Sequence, residues 1–290
     1  MWKGSHTMRM IVILIAGILF QHCAAGMSEN GTQRKFRDVR QMVQDSAWDS
    51  LPIGKLIAKV GLQLLDVPYV GGTLDGPGRE HCTVDMLRLD CVTLFEVSLN
   101  MGRIIKQGKD SLDDLIGAVT YTRYRDGELT DYTSRLHYTS DWIENNIKKG
   151  TVVDVTPQLG GKPFPLALGF MSQNPRYYPA LVENPQFVSV MQSIEQRVNM
   201  TSRAIIHKED IASIEAQLQD GDIIAIATSR KGLDYSHTGL IVREGKRARF
   251  LHASSVKKKV VLDGPISEYV SRTETNLGIS VLRPLPPVTQ

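Results

Sequence analysis

The chain has 290 residues, of which 42% are hydrophobic and 22% are charged, a composition typical of globular domains. The formal net charge is only +3, because 34 basic residues are interspersed with 31 acidic ones. This balance argues against a nucleic-acid-binding protein.

The N-terminus has the pattern of a secretory signal peptide. Basic residues precede an apolar run over residues 10–20, and small residues follow at 23–26. The run is too short to span a bilayer stably. We therefore predict a signal peptide over residues 1–25, export to the periplasm, and one domain over 26–290. Cys23 offers an alternative as a lipid-anchor site, although His22 fits that poorly; only then would the protein bind a membrane.

Apolar spacing predicts helices in the first half of the chain and short strands in its last third. Two of the predicted helices cover 32–48 and 209–218. Five others begin at Pro52, Cys91, Ser111, Ser140 and Pro185. The predicted strands are 151–156, 166–170, 203–207, 222–228, 237–243, 247–253, 258–262 and 279–283. A run of strands joined by short turns predicts an antiparallel meander, and hence an α+β fold. We interpret the segments at about 121–142 and 157–200 as insertions.

Cys91 lies where an extended segment changes to helical periodicity. A thiol at a helix N-terminus faces free N–H groups and the positive end of the helix dipole, which lower its pKa and can hold an oxyanion. The sequence therefore offers Cys91 as a nucleophile, with a small buried cysteine as the alternative reading. We expect Cys91 to be free and Cys82 to be structural; a disulfide between them would need a tight reversal of the chain.

Two histidines flank a predicted hairpin whose turn is Glu244-Gly245-Lys246. His237 begins one strand and His252 ends the next, so the two are expected side by side on one face. Such a pair can serve as the base for a thiol and the group that orients the base. Two alternatives are histidines without a function and a zinc site that includes His207.

Several segments in this order resemble one family. They are Pro68–Gly72, Asp90-Cys91, Leu218–Ile223, Ser236–Ile241 and Leu251–Ser254. Together they resemble the NlpC-type cell-wall cysteine peptidases. Segments 69–75, 89–96 and 135–142 further resemble a branch of N-acetylmuramoyl-L-alanine amidase-like proteins. The resemblance implies a papain-like α+β core with N-terminal helices packed on an antiparallel meander or barrel.

The resemblance also implies roles for individual residues. Cys91 matches the nucleophile, His237 the general base and His252 the residue that orients the base. Tyr69 matches a tyrosine whose hydroxyl approaches the cysteine. Asp90 matches an acid that recognises a free amine in peptide-cutting relatives, and it can equally cap the helix. Ser236, which precedes the base, is expected on the substrate side, while Val92-Thr93 departs from the small Ser-Gly pair of the family.

The insertion around residue 135 carries the mark of the amidase-like branch. Its polar and aromatic side chains are candidates for a sugar site, with a surface loop packed on its own core as the alternative. These candidates are Arg135, His137, Tyr138, Asp141 and Trp142.

The predicted function is an exported amidase that cleaves between the muramoyl lactyl group and L-alanine in small 1,6-anhydro-muropeptides. It is expected to use no metal or other cofactor and to act as a monomer on sugar–peptide fragments of peptidoglycan. The alternatives are a γ-D-glutamyl-diaminopimelate endopeptidase and a muropeptide-binding protein without catalysis.

Overall fold

The computed structural model describes residues 30–76 and 78–288; the predicted signal peptide and Cys23 lie outside the described residues. The helices are α1 (Gly31–Asp45), α2 (Ile53–Leu62), α3 (Cys91–Lys106), α4 (Leu112–Arg123), α5 (Thr139–Lys148), α6 (Phe170–Gln173), α7 (Pro179–Glu183), α8 (Gln186–Asn199), α9 (Ile211–Ile214) and α10 (Ile266–Ser271). The strands are β1 (Val152–Asp154), β2 (Lys162–Phe164), β3 (Arg203–His207), β4 (Ile223–Thr228), β5 (Tyr235–Glu244), β6 (Arg247–Ser254), β7 (Lys259–Pro265) and β8 (Asn276–Pro284). None of the helices in this part of the chain combines the length and apolar character needed to cross a membrane.

The strands form a single antiparallel sheet in the order β2-β3-β8-β4-β5-β6-β7, and β1 pairs with the C-terminal end of β8. Strands β4 to β7 follow one another as neighbours, which is the predicted meander, and β8 returns to pair with β4. Helices pack on this sheet, so the predicted mixed α+β architecture is confirmed.

Helix α3 lies at the centre of the larger core, against α2, α4 and strands β5 and β6. Two glycines let these elements approach closely. A Cβ on Gly102 of α3 would lie 2.7 Å from Ile57 of α2, and one on Gly61 of α2 would lie 2.8 Å from Leu251 of β6. Contacts that short are closer than van der Waals packing permits. The core therefore fixes where the first residue of α3 stands relative to the sheet.

Arg123 forms a buried ion pair in the core and also ties the segment before α3 to it. Arg123 of α4 pairs with Glu96 of α3 at 2.8 Å, with both side chains almost fully buried. The same guanidinium donates to the carbonyl oxygen of Thr83 at 2.6 Å. Cys82 and Cys91 are both free thiols, as predicted.

Two predictions about local structure are wrong. Residues 166–170 form no strand; β2 lies earlier, where Lys162–Phe164 pairs with β3, and Leu168 makes only a single bridge to Gly232. Ser140 does not cap α5, because the helix begins one residue earlier, at Thr139. The backbone N–H of Ser140 instead donates to the buried carboxylate of Asp234 at 2.7 Å, a long-range contact without a local sequence signal.

Candidate active site

Cys91 is the first residue of α3, and a capping box fixes that position. The Asp90 carboxylate accepts hydrogen bonds from the backbone N–H groups of Val92 at 3.0 Å and Thr93 at 2.8 Å. In return, the Thr93 hydroxyl accepts from the Asp90 N–H at 2.8 Å. This reciprocal pairing satisfies donors that a helix start leaves free. It also gives Thr93, which departs from the family pattern, a structural role.

The prediction that the helix start lowers the Cys91 pKa is wrong. Burial, followed by the negative charge of Asp90, raises the pKa of the Cys91 thiol to about 11, although hydrogen bonds from Thr238 work in the opposite direction. Burial of the thiol is the larger cause, and the capping box adds to it: the carboxylate takes up free N–H groups of the helix start and adds a negative charge that raises the pKa further. The thiol is therefore protonated at neutral pH and needs a base to become a nucleophile.

Thr238 holds the start of α3 against strand β5. Its hydroxyl donates to the Cys91 carbonyl oxygen at 2.8 Å. Because Thr238 directly follows His237, this bond sets the thiol beside the strand that carries the candidate base. Among the described residues, the Cys91 sulfur makes no hydrogen bond to an imidazole. Catalytic hydrogen bonds are often long in a free enzyme and tighten when substrate binds.

His237 and His252 are joined by a hydrogen bond. His237 Nε2 lies 2.8 Å from His252 Nδ1, and the two rings are nearly perpendicular. They are diagonal neighbours and not directly opposite, because β5 and β6 pair in the register Leu240↔Leu251 with Gly245 and Lys246 as the turn. A diagonal pair on one face of a sheet is still within reach of long side chains.

Both imidazoles are neutral at physiological pH. Burial, reinforced by His252, lowers the pKa of His237 to about 3. Burial also lowers the pKa of His252 to about 4, although Asp263 opposes that shift. A neutral His237 has a lone pair available to accept a proton.

Two aromatic rings enclose the histidine pair. Phe250 stacks on His252 with ring centroids 4.8 Å apart, and Tyr269 of α10 stacks on His237 at 6.0 Å. Burial, and then the charges of Asp263 and Cys91, raise the pKa of Tyr269 to about 12. Tyr269 therefore contacts both imidazoles, since its ring also lies 4.8 Å from that of His252.

Backbone hydrogen bonds hold Tyr69 next to the segment that leads into Cys91. Its N–H donates to the Lys258 carbonyl oxygen at 2.9 Å, and the next residue, Val70, donates to Leu89 at 3.0 Å. Burial, followed by the charges of Cys91 and Asp90, raises the pKa of the Tyr69 hydroxyl. Ser236 is exposed at the start of β5, with its hydroxyl 3.4 Å from the Ile226 carbonyl oxygen.

Arg135 lines a cavity of about 600 Å³, beside Tyr132 and the loop that leads on from Tyr69. Its guanidinium pairs with Asp75 at 2.8 Å and Glu80 at 3.0 Å and lies over the Tyr132 ring. Arg135 is thus the one predicted sugar-site residue that borders this cavity in the described structure.

The other predicted sugar-site side chains are held by contacts in the protein interior, which corrects the prediction. Trp142 packs edge-to-face on Phe95 in the core. Asp141 is buried between Arg125 and Arg197. The two remaining side chains are also occupied: Tyr138 donates to the buried Glu195 at 2.6 Å, and His137 Nε2 lies 2.8 Å from the Tyr132 carbonyl oxygen.

The zinc alternative lacks a set of ligands. Over residues 30–76 and 78–288, no group of three or more His, Cys, Asp or Glu side chains could hold a metal ion. His207 ends β3 and lines a separate cavity of about 470 Å³ with Phe164 and Thr228.

Comparison with known proteins places this chain in a family. The AmiA-like family, described as N-acetylmuramoyl-L-alanine amidase-like, matches residues 59–279. The chain belongs to the AmiA-like family. The family's match includes Cys91, His237 and His252 as well as Tyr69 and Arg135.

Solved structures agree with this assignment. A crystal structure of an N-acetylmuramoyl-L-alanine amidase from Bacteroides uniformis is similar with a TM-score of 0.75 at 35% identity, over 80% of this AmiA-like chain and 99% of that one. A second structure from that species has a TM-score of 0.73 at 35% identity, over 80% and 98%. A Legionella pneumophila protein shares the fold alone, with a TM-score of 0.67 at 19% identity over 89% and 97%. No curated protein matches the chain.

Sequence reasoning missed two residues of this candidate site, Asp263 and Tyr269. Asp263 Oδ2 lies 3.7 Å from His252 Nε2. Asp263 lies two residues beyond Val261, which pairs with His252 across β6 and β7, but the register of this strand pair is irregular and left no usable sequence signal. Tyr269 had no signal, because helix α10 is brought to the histidines by tertiary packing.

The Asp90→Asn variant is expected to lower the pKa of Cys91 while preserving the helix start. Asparagine caps a helix about as well as aspartate does but carries no charge. Alkylation of Cys91 by iodoacetamide at pH 8 should therefore become roughly two- to tenfold faster, and the free energy of unfolding should change by less than about 0.5 kcal/mol. An unchanged alkylation rate in a folded variant would show that the carboxylate does not control the thiol.

Proposed function

We propose that this protein is an exported N-acetylmuramoyl-L-alanine amidase that uses a Cys–His–His mechanism. The observation that carries the proposal is the clamp between α3 and β5: Thr238 bonds the backbone of Cys91 at 2.8 Å, and the adjoining His237 bonds His252 at 2.8 Å. Base-assisted nucleophilic attack requires a protonated thiol and a neutral, oriented imidazole, and the clamp joins the backbone segments that carry them.

In the first half of the reaction, His237 Nδ1 takes the proton from the Cys91 thiol. The sulfur then attacks the lactyl carbonyl carbon of the muramoyl group. Val92 and Thr93 N–H groups are already bonded to Asp90, which leaves the Cys91 N–H as the donor of the helix start for the oxyanion. His237 returns the proton to the amine of L-alanine as the C–N bond breaks, and the acyl group stays on the sulfur.

In the second half, water hydrolyses the thioester. His237 accepts a proton from the water while the oxygen attacks the acyl carbon. The tetrahedral intermediate collapses, the C–S bond breaks, and the proton returns to the sulfur. The products are a muramic acid derivative and a free stem peptide, and the chain's own side chains handle each proton.

We propose Arg135 and its cavity as the place for the part of the substrate beyond the scissile amide. The volume of about 600 Å³ lies in the range of small-molecule sites. The loop from Tyr69 to Asp75 connects the residue beside the thiol with the cavity wall. Small 1,6-anhydro-muropeptides suit such a site better than an intact polymer does.

The papain-like NlpC-type core, the periplasmic location and a monomeric state belong to the same proposal. The core rests on the order of the sequence motifs, and the location rests on the apolar run at residues 10–20. An envelope enzyme of this kind would meet its sugar–peptide substrate outside the cytoplasm.

The proposal is tested by incubating the protein with an anhydro-muropeptide in the presence of a chelator and identifying the products by mass spectrometry. A free stem peptide and its complementary sugar are expected from the wild type, and no products from Cys91→Ala. A shortened peptide still linked to the sugar would instead identify an endopeptidase. Binding without turnover would identify a binding protein, and turnover by Cys91→Ala would rule out the nucleophile.

A further inference from the structure

The outer nitrogen of His252 is buried without a hydrogen-bond partner among the described residues. A buried polar atom in that condition is costly, so the group that faces it matters. That group is the carboxylate of Asp263, whose Oδ2 lies 3.7 Å from His252 Nε2. The distance is too long for a formed hydrogen bond, and it is short enough for a charge to govern the imidazole.

Asp263 is held as an anion. Although burial opposes it, hydrogen bonds from the Gly264 N–H, Lys257 and Arg272 keep the pKa of Asp263 well below its usual range. Lys257 contacts Oδ2 at 3.0 Å, while Gly264 at 2.8 Å and Arg272 at 3.2 Å both donate to Oδ1. The carboxylate is therefore fixed in its orientation, with Oδ2 toward the imidazole.

The hydrogen bond between the two histidines contains one proton, and it can belong to either ring. If His252 carries it on Nδ1, the lone pair on His252 Nε2 faces the carboxylate, which is repulsive. His237 would then carry its own proton on Nδ1 and could not accept one from the thiol. If His252 carries its proton on Nε2, that N–H points at Asp263, and His237 Nε2 donates to His252 Nδ1. The lone pair on His237 Nδ1 is then free for the thiol.

We propose that Asp263 is a positioning residue that sets the tautomers of both histidines and thereby leaves His237 Nδ1 available as the base. The inference rests on the proposed function of Cys91 and His237. When the thiol proton moves to His237 Nδ1, the positive charge forms within reach of the His252–Asp263 pair. Asp263 stabilises this charge through His252 and takes no proton itself.

The Asp263→Asn variant tests the inference because its geometry is determined. Gly264 and Arg272 both donate to the Oδ1 position, so the amide oxygen is expected there. The NH₂ group then occupies the Oδ2 position, where the half-exposed Lys257 loses its bond and turns to solvent, and it donates to His252 Nε2, which reverses both tautomers. The expected result is a fall in kcat of roughly 10- to 100-fold, with KM within about twofold of the wild type.

The matched control is Asp66→Asn. Asp66 forms an exposed ion pair with Lys259 at 2.6 Å, at the start of the same strand, so it undergoes the same chemical change away from His252. We expect its kcat to equal that of the wild type.

A second measurement does not depend on activity. In ¹⁵N-labelled wild-type protein, NMR is expected to show both His237 and His252 as Nε2–H tautomers, and Asp263→Asn is expected to shift both toward Nδ1–H. An Nδ1–H tautomer of His252 in the wild type, or a variant with unchanged kcat, would overturn the inference. A wild type that shows these tautomers but cleaves no muropeptide would contradict the proposed function alone.

Discussion

Replacing His237 by glutamine is expected to lower kcat for an anhydro-muropeptide by roughly 10²- to 10⁴-fold. The reason is the raised pKa of Cys91, about 11, at which only about one thiol in ten thousand is ionised at pH 7. Glutamine can still donate to His252 but cannot accept the thiol proton. Steady-state kinetics with product detection by mass spectrometry measures the loss, and KM should stay within a few-fold.

The pH dependence of the variant distinguishes loss of a base from loss of structure. Without His237, hydroxide must remove the thiol proton, so residual kcat should rise about tenfold per pH unit between pH 7 and 9. His207→Gln is the matched control, since this histidine lies in another cavity, and its activity should be unchanged. A His237→Gln variant as active as the wild type would remove His237 from the mechanism.

The positions of the candidate catalytic residues were predictable because local signals determine them. The change in periodicity at Cys91 and the capping residue before it define a helix start. Alternating strands around Gly245 define a hairpin with both histidines on one face. Each signal depends on residues close together in sequence, which is where pattern analysis is strongest.

What the sequence could not provide depends on contacts between distant segments. The β6–β7 pairing has an irregular register between Arg249 and Leu251, so the position of Asp263 beside His252 could not be counted along the strands. The Cys91 pKa depends on burial and on the side to which the Asp90 carboxylate turns. In the insertion, Tyr138 and Trp142 are residue types that often bind ligands. In the interior, however, Tyr138 bonds to Glu195 and Trp142 packs on Phe95.

The free energy of unfolding is expected to fall steeply as the pH drops below 6.5. Burial lowers the pKa values of His137, His237 and His252 to about 3, 3 and 4. Between those values and the ordinary histidine pKa near 6.5, the unfolded chain binds protons that the folded chain excludes. Stability is therefore fully present above pH 6.5 and is lost toward acid, at up to about 1.4 kcal/mol per pH unit for each histidine. Urea unfolding between pH 7.5 and 4.5 measures this slope.

His137→Gln separates the histidine contribution from that of buried carboxyl groups. Burial raises the pKa of Glu96, Asp222 and Asp234, and protonation of these groups on the folded protein opposes the loss of stability in acid. The variant leaves all three carboxyl groups in place, so the difference between the two pH profiles belongs to His137 alone. From pH 7.5 to 5, the wild type should lose about 2 kcal/mol more than the variant. Parallel profiles would mean that the folded protein takes up the His137 proton as readily as the unfolded chain does, and that the insertion does not seal this imidazole from water.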